Sequence, residues 1–364
     1  MDVYQARQQA ARSAMADAGF DFLVVGPSPD LRYLTGFEGS MSERLTVLVL
    51  PASGRPSFVL PAFEAPRFVS FEDFAELVTW DESEDPFEAL SQVIGVTKEL
   101  VIGVNDTQWS RFLLGYQDVL PTARFEPASH VIGPLRERKR PEEITALREV
   151  NRLADLAFAE LVATQLTGLT ERRLSRTLSD ILLDMGNDAV GFATVASGPH
   201  SASPHHEMGD RVIGEGEALL FDFGGRHQGY FADVTRTVVV GRLPGGFEEV
   251  YRIVQAAQQA AVEAVRPGIM AGSIDRVARG IIMEAGYGHA FTHRVGHGVG
   301  LEVHEPPYLT GDSTTILEPG MTFSVEPGIY LPGRFGVRIE DTVLVTENGG
   351  ERLNTCTREL LVVS

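Results

Sequence analysis

Three of the nine histidines in this 364-residue chain fall in one stretch, HRVGHGVGLEVHE, as His293, His297 and His304, spaced by four and seven among glycines. Imidazole ligates metals and carries protons near neutral pH. Chance clustering in a glycine-rich turn would read the same way, so the stretch alone decides nothing. The acids carry more information. Asp222 in GEALLFDFGG and Glu326 in GMTFSVEPG lie inside apolar runs, where an ionised group is costly unless it is paired or bound to a cation. Asp233 and Glu340 head the β-branched runs ADVTRTVVV and IEDTVLVT. Strand alternation puts Asp233, Thr235 and Thr237 on one face, and Arg338, Glu340 and Thr342 on one face of a strand GVRIEDTVLV. One such acid is an ordinary surface ion-pair partner. Four of them converging would repel strongly. Four carboxylates with one imidazole form a hard, oxygen-rich set that suits two divalent cations, Mn²⁺ or Co²⁺, with Zn²⁺ possible.

What would make them converge is an internal repeat. TGLTERRLSRTLSDILLDMG, ending at Gly186, and PGIMAGSIDRVARGIIMEAG, ending at Gly286, are each a turn followed by an amphipathic helix. Gly168 and Gly268 match, as do Ile181 and Ile281. A further helix precedes each block, and the two acid-bearing pairs of strands follow. Two helix–helix–strand–strand units can close round a pseudo-twofold axis, and a site on that axis draws on both. The first part of the chain, to about residue 132, reads as a smaller α/β domain, with strands at 22–26, 45–51, 57–61 and 100–104 and an amphipathic helix at its start. The basic stretch 133–142 reads as a linker, with Pro141 opening a long helix, and 143–364 as the second domain.

Composition excludes several classes. A formal charge of −19 argues against nucleic acid or an anionic membrane surface as partner. A single cysteine, Cys356, excludes an internal disulfide or a multi-thiolate metal site within the chain. No apolar run has the length of a membrane span and the amino-terminal stretch is no signal peptide, so a cytoplasmic protein is expected.

The blocks FDFGGRHQGYFADVTRT, GHGVGLEVHE, SVEPGIY and VRIEDTVLVT resemble the signatures of the pita-bread metallopeptidases: aminopeptidase P, prolidase, methionine aminopeptidase and the metal-free creatinase. The likeness spans about 135–364. SPDLRYLTGF (28–37) resembles the amino-terminal domain of the prolidase, aminopeptidase P and creatinase branch. The resemblance implies a pita-bread catalytic domain behind a creatinase-like α/β domain, and a homodimer. It makes Asp222 a ligand of one metal, Asp233 and Glu340 bridges, and His297 and Glu326 ligands of the second, with the glycines letting the backbone approach the ions. His293 and His304 would flank the substrate, His304 near the leaving group; His205 would line the cleft and bind substrate, with Tyr330 also touching it. His293 would either bond the scissile carbonyl or serve a structural role. His206, where the family has glycine, reads as a solvated loop residue.

The activity so implied is hydrolysis of the imide bond of Xaa-Pro, dipeptides preferred. Glu326 would shuttle the proton, and Arg338 would hold a group in the cleft. Rivals are an aminopeptidase P acting on longer peptides, a creatinase-like hydrolase without metal, and a non-catalytic binding module. A dipeptide specialist needs a cation for the free carboxylate, yet residues 306–325, where prolidases often carry an arginine, hold no Arg, Lys or His. Arg44, in the loop after YLTGF, is a substitute or else a solvated strand-end charge.

Overall fold

A computed structural model describes residues 3–95, 99–204 and 206–363. It divides into two compact units, Met1–Arg136 and Glu137–Ser364. The first is built on a six-stranded mixed sheet. The strands Phe22–Val25, Val47–Pro51, Ser57–Pro61 and Val101–Val104 coincide with the apolar runs in the sequence, because each is buried. Glu76–Trp80 and Arg124–Pro127 form the two edges. They have no apolar run because only part of each is covered. Helix Val3–Ala18 opens the unit.

The stretch read as a linker is mostly helical. Helix Ser129–Glu137 takes in its first half, and Pro141 starts helix Pro141–Val162. Its basic residues have specific partners: Arg136 pairs with Asp30 at 2.7 Å, and Lys139 pairs with Glu305 at 2.7 Å in a nearly inaccessible position. That is why this charge run is ordered.

In the second unit the repeat is visible as geometry. Helices Pro141–Val162 and Glu171–Asp184 back the sheet of Ala189–Ser197, Glu217–His227 and Val234–Val240. Helices Phe247–Ala264 and Ala271–Glu284 back the sheet that contains Thr322–Val325 and Asp341–Thr346. Gly168 and Gly268 both take positive φ, 79° and 87°, as do Gly186 and Gly286. Each is a turn conformation that L side chains resist. Isolated bridges Thr170–Val212 and Met270–Ile316 occupy the same place in the two halves. No helix among the described residues is long and apolar enough to cross a membrane.

Candidate metal centre

The expected strand GVRIEDTVLV is broken. Phe335–Arg338 pairs with Gly328–Leu331, and Asp341–Thr346 pairs with Thr322–Val325. Ile339 and Glu340 cross between the two pairings, so that 338–342 runs antiparallel against 233–237. Arg338 N–H donates to Thr237 Oγ1 at 3.1 Å, and that hydroxyl donates to the Arg338 carbonyl at 2.9 Å. Glu340 N–H donates to the Thr235 carbonyl at 3.1 Å. Thr342 Oγ1 donates to the Asp233 carbonyl at 3.1 Å. The two polar faces read from strand alternation therefore oppose each other across the join of the repeats, and buried Arg236 holds them from behind by bonding the Glu340 carbonyl and, at 2.6 Å, the Asp341 carboxylate.

His297 enters on a two-residue strand, His297–Gly298, squeezed between Glu305–Tyr308 and Thr322–Val325. A Cβ on Gly296 would sit 1.9 Å from the Ser324 carbonyl oxygen, and one on Gly298 2.2 Å from that of Pro306. The glycines thus allow close contact with the neighbouring strands. The His297 Nδ1 proton goes to the Gly298 carbonyl at 3.2 Å, leaving the Nε2 lone pair toward Glu326, 3.3 Å, and Asp233, 3.5 Å.

These groups line a cleft of about 670 Å³ together with Asp222, Arg294, His304 and Arg338. Burial, and then Glu340, Asp222 and Glu326, hold the Asp233 carboxyl well above the ordinary carboxylate range. Burial likewise pushes Glu326 up to about 7 and Glu340 up to about 8. Burial lowers His297, favouring neutral imidazole. The Arg338 guanidinium lies 2.7 Å from Asp222 and offsets part of this negative charge. Asp233, His297 and Glu340 each offer one donor atom, all within 4.8 Å of one another. Carboxyls driven toward the neutral form, facing an imidazole lone pair, make a site short of positive charge. Its oxygen-rich donor set fits a divalent metal centre.

His293 has both ring nitrogens engaged by protein. Nδ1 meets the Arg294 carbonyl at 2.7 Å, and Nε2 meets the Tyr330 hydroxyl at 2.8 Å. Arg338 can only donate, so the Tyr330 oxygen accepts from it at 3.0 Å and the single hydroxyl proton goes to His293. Tyr330, expected to touch substrate, is buried at 4% exposure, because its hydroxyl bridges Arg338 and His293. His304 is exposed, its ring edge-on to His297 at 4.1 Å. His205 lies outside the described residues. Arg44, in the first unit, is engaged by Glu82 and Glu43 and lies over Phe63. His206, read as solvated, is instead half-buried and bonded to Glu171 at 2.9 Å. Arg294 went unnoticed in the sequence: it lines the cleft with its guanidinium 4.4 Å from the Tyr308 ring centre. Its signal was its place between His293 and His297.

Four carboxylates and an imidazole drawn from the two helix-backed halves line one cleft, a donor set suited to a metallohydrolase. Residues 145–347 match metallopeptidase family M24, and residues 7–138 match the creatinase/prolidase N-terminal domain. The chain belongs to family M24 and is a metallopeptidase. A probable dipeptidase PepE of Mycobacterium tuberculosis is 40% identical over 100% of this chain and 97% of its own length. Among solved structures, a prolidase from Thermococcus sibiricus is 38% identical, with a TM-score of 0.95 and full coverage of both chains. An Xaa-Pro dipeptidase from Bacillus anthracis is 32% identical, with a TM-score of 0.90 over 99% of this chain and 100% of its own.

Proposed function

We propose that this metallopeptidase hydrolyses the Xaa-Pro imide bond, with dipeptides preferred. The observation that carries the reading is the opposition of 233–237 to 338–342, which closes a small cleft around Asp222, Asp233, His297, Glu326 and Glu340. Its volume suits a small ligand. The names of the similar proteins support the substrate class. We assign those five side chains as ligands of two divalent ions, Mn²⁺ before Co²⁺ or Zn²⁺. When bound, such ions supply Lewis acidity and acidify water.

The chain's own residues do the rest. Glu326 takes a proton from the attacking water at one oxygen and returns it to the leaving proline nitrogen. Arg338 holds the Asp222 carboxylate in place, and Tyr330 with His293 fixes that guanidinium. We assign His304, exposed beside His297, to the proline side of the substrate. His205 remains a candidate on the strength of its motif. We assign the free carboxylate to Arg294, which lies on the cleft wall, with Arg44 kept as the sequence's candidate. The lack of a cation in 306–325 favours the second reading, an aminopeptidase P. A homodimer is inferred from the family, and the cytoplasmic setting expected from the sequence is kept as part of the proposal.

The test compares Xaa-Pro with Xaa-Pro-Yaa, Mn²⁺ supplied, in wild type and Arg294→Ala. The proposal expects wild type to prefer the dipeptide and the variant to raise its KM about tenfold or more, with tripeptide turnover little changed. A wild-type preference for the tripeptide would install the aminopeptidase reading.

A further inference from the structure

The loop that follows strand Ala189–Ser197 closes over a second cluster of ligand-type side chains. Glu171, the first residue of helix Glu171–Asp184, has a fully buried carboxylate. His200 Nδ1 lies 2.9 Å from one of its oxygens, and His206 Nε2 lies 2.9 Å from the other. The two rings are 4.3 Å apart between centres. One donor atom from each of the three lies within 4.8 Å of the others. The carboxylate is held from behind by the Ser197 N–H at 2.9 Å and hydroxyl at 2.8 Å. The nearby guanidiniums are committed elsewhere, Arg211 to Glu217 and Arg172 to Asp210. His200 is 41% exposed, which gives solvent a way in.

We propose that Glu171, His200 and His206 form a separate binding site for one divalent transition-metal ion, zinc in the first instance. Two imidazoles and one carboxylate are a borderline set that prefers zinc, nickel or copper to magnesium or calcium, and they leave a position open to water. The carboxylate needs no rearrangement, because its backbone and hydroxyl donors already orient it. Binding exchanges two imidazole–carboxylate hydrogen bonds for metal bonds. The helix amino terminus opposes a cation, so affinity should be micromolar rather than tighter. An ion here would clip the turn Gly198–Ala202 to helix Glu171–Asp184, and that turn leads directly to Pro204 on the cleft wall.

The test titrates zinc into the full chain preloaded with Mn²⁺ and counts bound zinc by elemental analysis after gel filtration, with the Kd from calorimetry. The comparison is with His206→Gln, whose amide can still donate to Glu171, and with His200→Ala at a partly exposed position. Wild type should take up one equivalent more than either variant, and that step should weaken at least tenfold in each. If His206→Gln fails to fold, judged by its melting curve, His200→Ala carries the comparison. Equal zinc uptake by wild type and the folded variants would overturn the proposal and leave the cluster a hydrogen-bonded clasp.

Discussion

Removing metal should make the stability of this protein steeply dependent on pH. Among the described residues the acids of the cleft are offset chiefly by Arg338, and burial raises Asp233, Glu326 and Glu340. A carboxyl whose folded value lies above its unfolded value favours folding fully below the unfolded value, near 4.5, and loses that advantage as pH rises through the folded value. With Glu326 at about 7 and Glu340 at about 8, both are protonated when folded and ionised when unfolded between roughly pH 5.5 and 7. Each costs about 1.4 kcal/mol per pH unit there. The metal-free protein should therefore lose on the order of 4 kcal/mol across that interval as an upper bound. With metal bound the carboxylates are ionised in the folded state and the trend flattens. The assay is urea unfolding of chelator-treated and Mn²⁺-loaded protein at several pH values, with Glu340→Gln removing one titrating group. A metal-free curve that is flat over pH 5.5–7, or parallel to the loaded one, would refute the reasoning.

Gly296→Ala should displace the His297 strand, because the new Cβ would collide with the Ser324 carbonyl; a loss of about 1–3 kcal/mol, with reduced metal content by elemental analysis, is expected. Lys139→Met removes the buried cation that faces Glu305, so thermal unfolding should show a cost of about 3–5 kcal/mol. His304→Ala should lower kcat/KM by about tenfold or more, with stability within about 0.5 kcal/mol of wild type and unchanged metal content; joint loss of activity and metal would make His304 a ligand.

Much of this molecule is legible in its sequence because it depends on short-range pattern. Buried strands such as Val47–Pro51 appear as apolar runs, and the repeat shows in glycines that turns require. The four acids and His297 stand in recognisable motifs, so the chemistry of the centre can be read before any contact is known. Tertiary structure decided what depends on partners distant in the chain. The edge strands Glu76–Trp80 and Arg124–Pro127 were invisible because half-covered strands need no continuous hydrophobicity. The break at Ile339–Glu340 arises because one segment must satisfy two different strands. Arg294 and Arg44 look alike as letters; one lies along the cleft and the other is engaged by carboxylates of its own unit. His206 reads as a loop residue until folding brings it to Glu171, 35 positions away. Residue type and local spacing set which chemistry is available, while burial and charge balance, which depend on the whole surrounding fold, decide which groups perform it.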